Sequence, residues 1–497
     1  MSTQKLATQY RADDKRLSLG CLLWILAILS IPVALIGNWC WSYLNSNQTA
    51  LITLDSNSGK FLWSSGFDNE LTRSIAAERD RVFVSTLAET SRSGDGDAPA
   101  RKYQYQIVAF AAKSGQKLWS FDPPGASGEE LYGMTRSPLQ TNGDRLWVNT
   151  VSDRLPSKLP ILVAGSNGQI VKKTPNTANI RQGQIFGIDA QTGKSVRSIE
   201  RNWQVEQLDL DGMTIDKSTT AILRFNPALD VALEAYNSDT GKQLWKIPVA
   251  AATTQSTAVV FNRYRLFSNS QTIFLFDRAT NKLSGYSWDR GRSKFKITLK
   301  TTLDSSEILP KDRIANDSRF YPVSNYLTAN DTTVYSLNTD RTIATFDANT
   351  GIRKQEIQLP PRSRCASPGS ITVDRAGVYL LCNKLNNNLS PSTTLFSIDN
   401  NGREVWSQQY AHQLGSEHNC RSLATDSKNI YGVLIDNARV SPKLPDKLIA
   451  LDRINGTARW QWQPKFRLYE ETLALDNDRL FILAAVPRWR IILSALQ

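Results

Sequence analysis

One phrase recurs along this chain of 497 residues, and a recurring phrase restricts architecture more than any single motif. "LITLDSNSGKFLW" (Leu51 to Trp63) returns as "IVAFAAKSGQKLW", "LEAYNSDTGKQLW" and "LIALDRINGTARW". Aligning the phrase gives eight copies, centred on Gly59, Gly115, Gly193, Gly241, Asn281, Gly351, Gly402 and Gly456. An Asp stands four residues earlier in "LDSNSG", "IDAQTG", "FDRATN", "FDANTG" and "LDRING"; Ala111 and Asn237 replace it in two copies, and Asp399 lies one residue closer. The pattern predicts a tight β-hairpin. Alternating apolar residues form the incoming strand, the Asp carboxylate accepts turn amides, and the Gly supplies a positive φ that Asn281 also tolerates. Four residues past this position stands Trp63, Trp119, Trp245, Trp406 or Trp460. Equivalent positions in a ring cannot all face one ligand, so these indoles are expected to wedge each unit against its neighbour.

A second strand lies between the hairpins: "DRVFVS", "DRLWVN", "TAILRF", "YRLFSN", "TTVYSL", "AGVYLL", "KNIYGV" and "DRLFIL". Eight hairpins alternating with eight such strands, with no long helical periodicity after residue 45, predict an all-β eight-bladed β-propeller, because radial repetition protects sheet edges. The first hairpin lacks a preceding strand of this type, and the last strand lacks a hairpin after it. Paired, the two halves make one blade and close the ring. The tail "RWRIILSALQ" leaves room for a rearranged, seven-bladed count.

These phrases resemble the "ALDxxTGKxxW" signature of the PQQ-like (pyrroloquinoline-quinone-like) repeat, over about residues 50 to 485. The repeat is shared by quinoprotein dehydrogenases and by the propeller lipoprotein of the bacterial outer-membrane protein assembly machine, so the resemblance implies a fold more firmly than an activity. For a dehydrogenase it implies a quinone, calcium ligands and often a disulfide between adjacent cysteines. No Cys-Cys pair and no C-x-x-C-H haem attachment is present in the sequence. No cofactor and no catalytic residue is therefore assigned, and the recurrent Asp residues are assigned to turns.

Ahead of the repeats, "LSLGCLLWILAILSIPVALIG" (Leu17 to Gly37) carries no charge and is long enough to span a bilayer core. Trp39, Trp41 and Tyr43 follow at interfacial depth. Lys5, Arg11, Lys15 and Arg16 precede it, so the positive-inside rule predicts a cytoplasmic tail (1–16), a transmembrane signal anchor (17–43) and an exported propeller (44–497). A cleaved signal peptide is the alternative, but the apolar run is long for one and no A-x-A site follows.

The exported part holds Cys365, Cys382 and Cys420, an odd number in an oxidising setting. Cys365 can pair with Cys420 at a similar offset in the next blade, or with Cys382 on a neighbouring strand; all three can also remain thiols. His412 and His418 lie in "AHQLGSEHNC" with Glu417 and Cys420, at a spacing that matches no familiar metal motif, so no metal is assigned. The net charge is +13, and the first 16 residues account for only +2 of it. Inserted basic loops are expected at 289–300, with Arg290, Arg292, Lys294, Lys296 and Lys300, and at 151–184, with Arg154, Lys158, Lys172, Lys173 and Arg181. Summed positive potential suits an acidic protein face, an acidic polysaccharide or an anionic lipid; nucleic acid is excluded by export. The expected function is a non-enzymatic, membrane-tethered scaffold presenting loops to envelope proteins. A quinone-dependent dehydrogenase and an envelope polysaccharide binder are the alternatives.

Overall fold

The computed structural model describes residues 47–67, 70–93, 100–123, 127–128, 139–152, 161–164, 170–173, 182–201, 213–216, 218–225, 231–250, 264–278, 280–300, 327–338, 340–361, 365, 367–385, 391–410, 423–434, 446–468 and 473–487. The chain divides into a unit of residues 49–485 and a second of residues 1–48 with 486–497. Nearly all of the second unit, including the expected anchor at 17–43 and the tail after Pro487, lies outside the described residues. Among the described residues there is no helix, and so none long and apolar enough to cross a membrane.

Eight antiparallel sheets of four principal strands follow one another along the chain, which is the eight-bladed propeller. Seven blades are sequential, spanning 70–121, 140–201, 213–250, 264–298, 327–358, 367–410 and 423–462, and are numbered one to seven here. The eighth joins the two ends of the chain: Arg479–Pro487 pairs with Asn47–Asp55, which pairs with Phe61–Phe67. The second blade carries an inserted hairpin, Ile161–Ala164 with Ile170–Lys173, between its second and third strands. Period-two alternation sends side chains from one strand into two different cores. On Val231–Asn237, Val231 and Leu233 pack with Tyr264 and Leu266 of the fourth blade. Tyr236 instead packs with Trp147 and Ile185 of the second.

The outer hairpin of each blade follows from its sequence. In the first copy the Gly59 amide donates to the Asp55 carbonyl (2.8 Å), and the Asp55 amide to that of Lys60 (2.9 Å). The Asp55 carboxylate accepts the Ser58 amide and hydroxyl, both at 2.7 Å. Gly59 has φ +69, a left-handed conformation that most side chains avoid. Five of these hairpin glycines, Gly59, Gly115, Gly193, Gly291 and Gly456, also receive an indole from the preceding blade. A Cβ added to Gly456 would lie 2.5 Å from the ring of Trp406, and one on Gly59 2.6 Å from that of Trp460. The indole N–H then donates to a carbonyl at the head of the same hairpin. Trp63 donates to Ala112, Trp119 to Ala190, Trp245 to Trp288, Trp406 to Arg453 and Trp460 to Ser56, over 2.9–3.1 Å. The last of these ties the seventh blade to the first strand of the chain, beside the seam that closes the ring.

One copy of the repeat sits elsewhere than the sequence alignment puts it. Asn281 (φ +52) lies in the turn between Thr272–Asp277 and Lys282–Ser287, the second and third strands of the fourth blade. The outer hairpin of that blade is at Gly291, with Ser287 in the Asp position: the Gly291 amide donates to the Ser287 carbonyl (3.1 Å) and the Arg292 amide to its hydroxyl (3.1 Å). "YRLFSN" is accordingly the innermost strand, Tyr264–Ser268. Phe295 takes the aromatic position and packs on Gly351. The misreading has a physical source, since "FDRATN" offers a carboxylate and a left-handed residue at the same spacing as the true hairpin.

Removing the indole from one joint should leave a cavity. Trp406, 8% exposed, changed to Ala should cost about 3–5 kcal/mol, the range for large aromatic truncations, read as a lower urea midpoint. Gly456→Ala, which drives a Cβ into the same ring at φ +70, should destabilise as well. An unchanged midpoint in both variants would show that the joint carries no stability.

The hairpin carboxylates should make the ring sensitive to acid. Burial opposes charge on Asp347, yet the Thr350 and Asn349 amides hold its carboxyl below the usual range. A depressed folded pKa gives stability that is present above the unfolded value and lost as pH falls through the folded one. Asp347→Asn, which copies the cap that Asn237 already makes to Thr240, should keep stability at pH 7 within about 1 kcal/mol. It should also lose less stability than the parent between pH 5 and pH 3, compared by urea denaturation at each pH.

Candidate functional site

Antiparallel alternation fixes which end of each blade carries which connection. Turns between first and second strands, and between third and fourth, fall on one face; the remaining connections fall on the other. The first face is built of tight turns. Asn269, Asn330, Asp374 and Asp426 cap the inner turns by accepting amides two and three residues on, as Asp55 and its equivalents cap the outer ones. The second face carries the long connections: Ser152 to Gln182, Ala250 to Tyr264, Thr298 to Leu327, Tyr410 to Leu423 and Leu434 to Lys447.

The segment between Ser152 and Gln182 therefore belongs to the face of long connections, whereas residues 289–300 run from the face of tight turns, at Arg290 and Arg292, to the other, at Lys300. Residues 289–300 are not an inserted loop, as the charge run suggested, but the outer hairpin of the fourth blade and its outermost strand, Ser293–Thr298. Arg290, Arg292 and Lys296 are exposed. Lys294 is half-buried, donating to the Gln271 carbonyl, the Thr272 hydroxyl and the Asn349 side chain at 2.9–3.0 Å, and burial lowers its pKa. Lys300 bridges to Asp340 (2.9 Å) and Glu356 (3.3 Å) of the fifth blade. Four of the five cations thus face solvent, and one of these, Lys300, is paired across the joint with the fifth blade. The other segment lies within the long connection of the second blade; there Lys172 and Lys173 end the inserted hairpin, while Arg154, Lys158 and Arg181 lie outside the described residues.

Cys365 and Cys382 form a disulfide, with Cα atoms 4.9 Å apart, and both are fully buried in the core between the fifth and sixth blades. Cys420, His412, His418 and Glu417 lie outside the described residues. Among the described residues no three His, Cys, Asp or Glu side chains gather to hold a metal.

The one fully buried acidic side chain described, Glu234 of the third blade, is structural in its surroundings. Burial opposes its charge, but the Tyr236 hydroxyl donates to it, Lys246 sits 3.1 Å away and Arg224 3.3 Å away; together they hold its pKa below the usual range. Tyr236 is pushed up to about 12 by burial and by Glu234. A carboxylate held ionised by two cations is poorly suited to general acid work. It sits at the joint with the second blade, where Arg197 occupies the Trp position.

The joint between the fifth and sixth blades departs differently. Gln355 stands where the indole would be, and its amide donates to the Asn400 carbonyl, the equivalent of the carbonyl that accepts the indole N–H elsewhere. Ile357, two residues on, covers Gly402, where an added Cβ would lie 3.2 Å from it, looser than any ring contact. This difference had no signal in the sequence beyond the missing Trp.

A family model described as outer membrane protein assembly factor BamB matches residues 19–279 and 230–482. No curated protein matches the chain. Among solved structures, the chain resembles BamB from Moraxella catarrhalis at 13% identity, covering 86% of this chain and 88% of that one, with a TM-score of 0.42. It also resembles a quinohemoprotein alcohol dehydrogenase, ADHIIG, from Pseudomonas putida HK5 at 9% identity, covering 80% of this chain and 66% of that one, with a TM-score of 0.44. Eight PQQ-like repeats closed into a ring, together with a family match over most of its length, place this chain in the outer membrane protein assembly factor BamB family.

Proposed function

We propose that this propeller is a non-enzymatic scaffold that holds envelope proteins together during outer-membrane protein assembly. The observation that carries the reading is the family match over residues 19–279 and 230–482. The ring supports it: rigid, capped turns occupy one face, and long connections leave from the other, the arrangement in which loops carry recognition on a stiff frame. The partner-binding face is the one bearing the long connections. The basic segment between Ser152 and Gln182 draws an acidic partner surface to it by long-range attraction.

In this reading the protein is held by a retained anchor at Leu17 to Tyr43, with its N-terminus in the cytoplasm and the propeller on the periplasmic or extracellular side. The buried Cys365–Cys382 bond supports an oxidising compartment.

Two measurements test these points. Full-length protein carrying an affinity tag should retain envelope proteins from detergent-solubilised membranes, and charge reversal of Arg154, Lys158, Lys172, Lys173 and Arg181 should reduce that recovery at least tenfold. Recovery that is unaffected would remove the long-connection face from the interface, and quinone-dependent alcohol or sugar oxidation by the purified protein would overturn the scaffold reading. For the anchor, mass spectrometry should find a mature N-terminus at or near Met1 in carbonate-resistant membranes. A terminus between residues 38 and 50 would make the propeller a soluble exported protein.

A further inference from the structure

Where five joints carry an indole, the joint between the fifth and sixth blades carries Gln355, and the space a ring would fill stays open. The result is a cleft of about 600 Å³ on the face of tight turns, lined by Asn330, Asp331, Thr332, Thr333, Tyr335, Thr345, Lys354, Gln355, Arg375 and Asn400. That volume falls in the range of small-ligand sites, about 300–1,000 Å³. We propose that this cleft is a saccharide site that takes a sugar unit of a neutral glycan.

The lining selects the chemistry by exclusion. None of the ten residues is aliphatic, and the one aromatic, Tyr335, is 2% exposed. An apolar ligand would strip water from polar groups without replacing its hydrogen bonds. A cation would meet Lys354 and Arg375, and an anion would meet Asp331. Charge is internally balanced: Lys354 lies 3.4 Å from Asp347, and Arg375 lies 3.9 Å from Asp331. A ring of hydroxyls, which both donate and accept, suits a wall of hydroxyls, amides and one carboxylate–guanidinium pair.

The site is also built rather than loose. Tyr335 donates to the Asn400 side chain (3.2 Å), and Asn330 donates to the Tyr335 hydroxyl (3.3 Å) and to the Asp374 carbonyl (3.0 Å). Asn400 donates to the Arg375 carbonyl (3.0 Å), and Lys354 to the Thr332 carbonyl (2.8 Å) and the Thr333 hydroxyl (3.1 Å). These bonds fix the walls. The Arg375 side chain, 93% exposed, is left to close over a ligand at the mouth.

The test uses full-length protein in a detergent without a sugar headgroup. Saturation-transfer NMR would be run with maltose, cellobiose, mannobiose and N,N′-diacetylchitobiose, each alone, and with inorganic phosphate as an anion control by titration. At least one disaccharide should bind. Gln355→Trp, which restores the wedge seen at five other joints, should raise the thermal midpoint and abolish that binding. Arg375→Ala should weaken it at least tenfold with an unchanged midpoint, and it carries the test if the Trp variant does not fold. No binding by any of the four sugars would overturn the proposal, as would binding that survives either substitution unchanged. Phosphate binding lost in the same variants, without sugar binding, would reassign the cleft to an anion.

Discussion

The ring depends on one repeated joint, in which an indole from one blade lies flat on the hairpin glycine of the next and donates its N–H to a carbonyl beside that glycine. Each component requires the others. The ring can approach only because the glycine has no Cβ, and the glycine can hold its left-handed turn only because no side chain opposes it. At four of the five joints the carbonyl follows a side chain that caps the turn, Asp55, Asp189, Asp452 or Ser287; Ala111 stands there in the fifth. A single joint contributes burial and one hydrogen bond. Repeated at five junctions, with Phe295 at a sixth, it sets the spacing of the blades and brings the two chain ends together through Trp460 and Ser56.

That joint also decides where the chain is free to vary. All of its parts lie at the outer hairpins, so the face carrying those turns is constrained by packing as well as by backbone geometry. None of these parts belongs to the opposite face. Insertions there cost little more than loop closure, which grows slowly with length. The inserted hairpin between Ser152 and Gln182 and the connection from Thr298 to Leu327 both fall on that side. A scaffold can therefore acquire recognition loops without disturbing the ring. A catalytic centre asks more, since it needs several chemically matched side chains held together. The buried carboxylate this fold does supply, Glu234, is neutralised by Arg224 and Lys246 and committed to a blade junction.

The sequence made the blade count, the ring closure and the identity of the joint residues legible because each is a local pattern repeated in register. What it hid depends on which of two similar local patterns the fold uses. Asn281 and Gly291 both follow a polar cap at the same distance, and only the pairing of Lys282–Ser287 with Ser293–Thr298 separates the turn between second and third strands from the outer hairpin. That one-strand ambiguity also made the outermost strand look like a basic loop. Cys365 offered two partners at plausible positions, and its pairing with Cys382 depends on three-dimensional proximity that sequence spacing does not reveal. The substitution of Gln355 for Trp was visible as a letter. Its consequence was not, because a cleft is a property of what surrounds the missing ring.

The sixth blade shows how such a vacancy is tolerated. A joint without its indole loses packing on the face of tight turns, and the neighbouring strands are instead fastened from the opposite side. Arg341, in the turn between the second and third strands of the fifth blade, donates to the carbonyls of Pro360 (2.8 Å) and Cys365 (2.6 Å), the segment that leads into the sixth. Cys365 is then bonded to Cys382, and both sulfurs sit in a continuous core with Tyr335, Ile357 and Leu380. Closing a short loop in this way stabilises by about 3 kcal/mol through the unfolded chain, comparable to the loss from an aromatic truncation. The fifth and sixth blades thus remain in register while Gln355 and Ile357 make a lighter contact across their outer edge. Reduction of this bond should accordingly destabilise the Gln355 chain more than a Gln355→Trp chain, measured as the shift in thermal midpoint with and without dithiothreitol. Equal shifts would show that staple and wedge act independently, and that the cleft is stable without either.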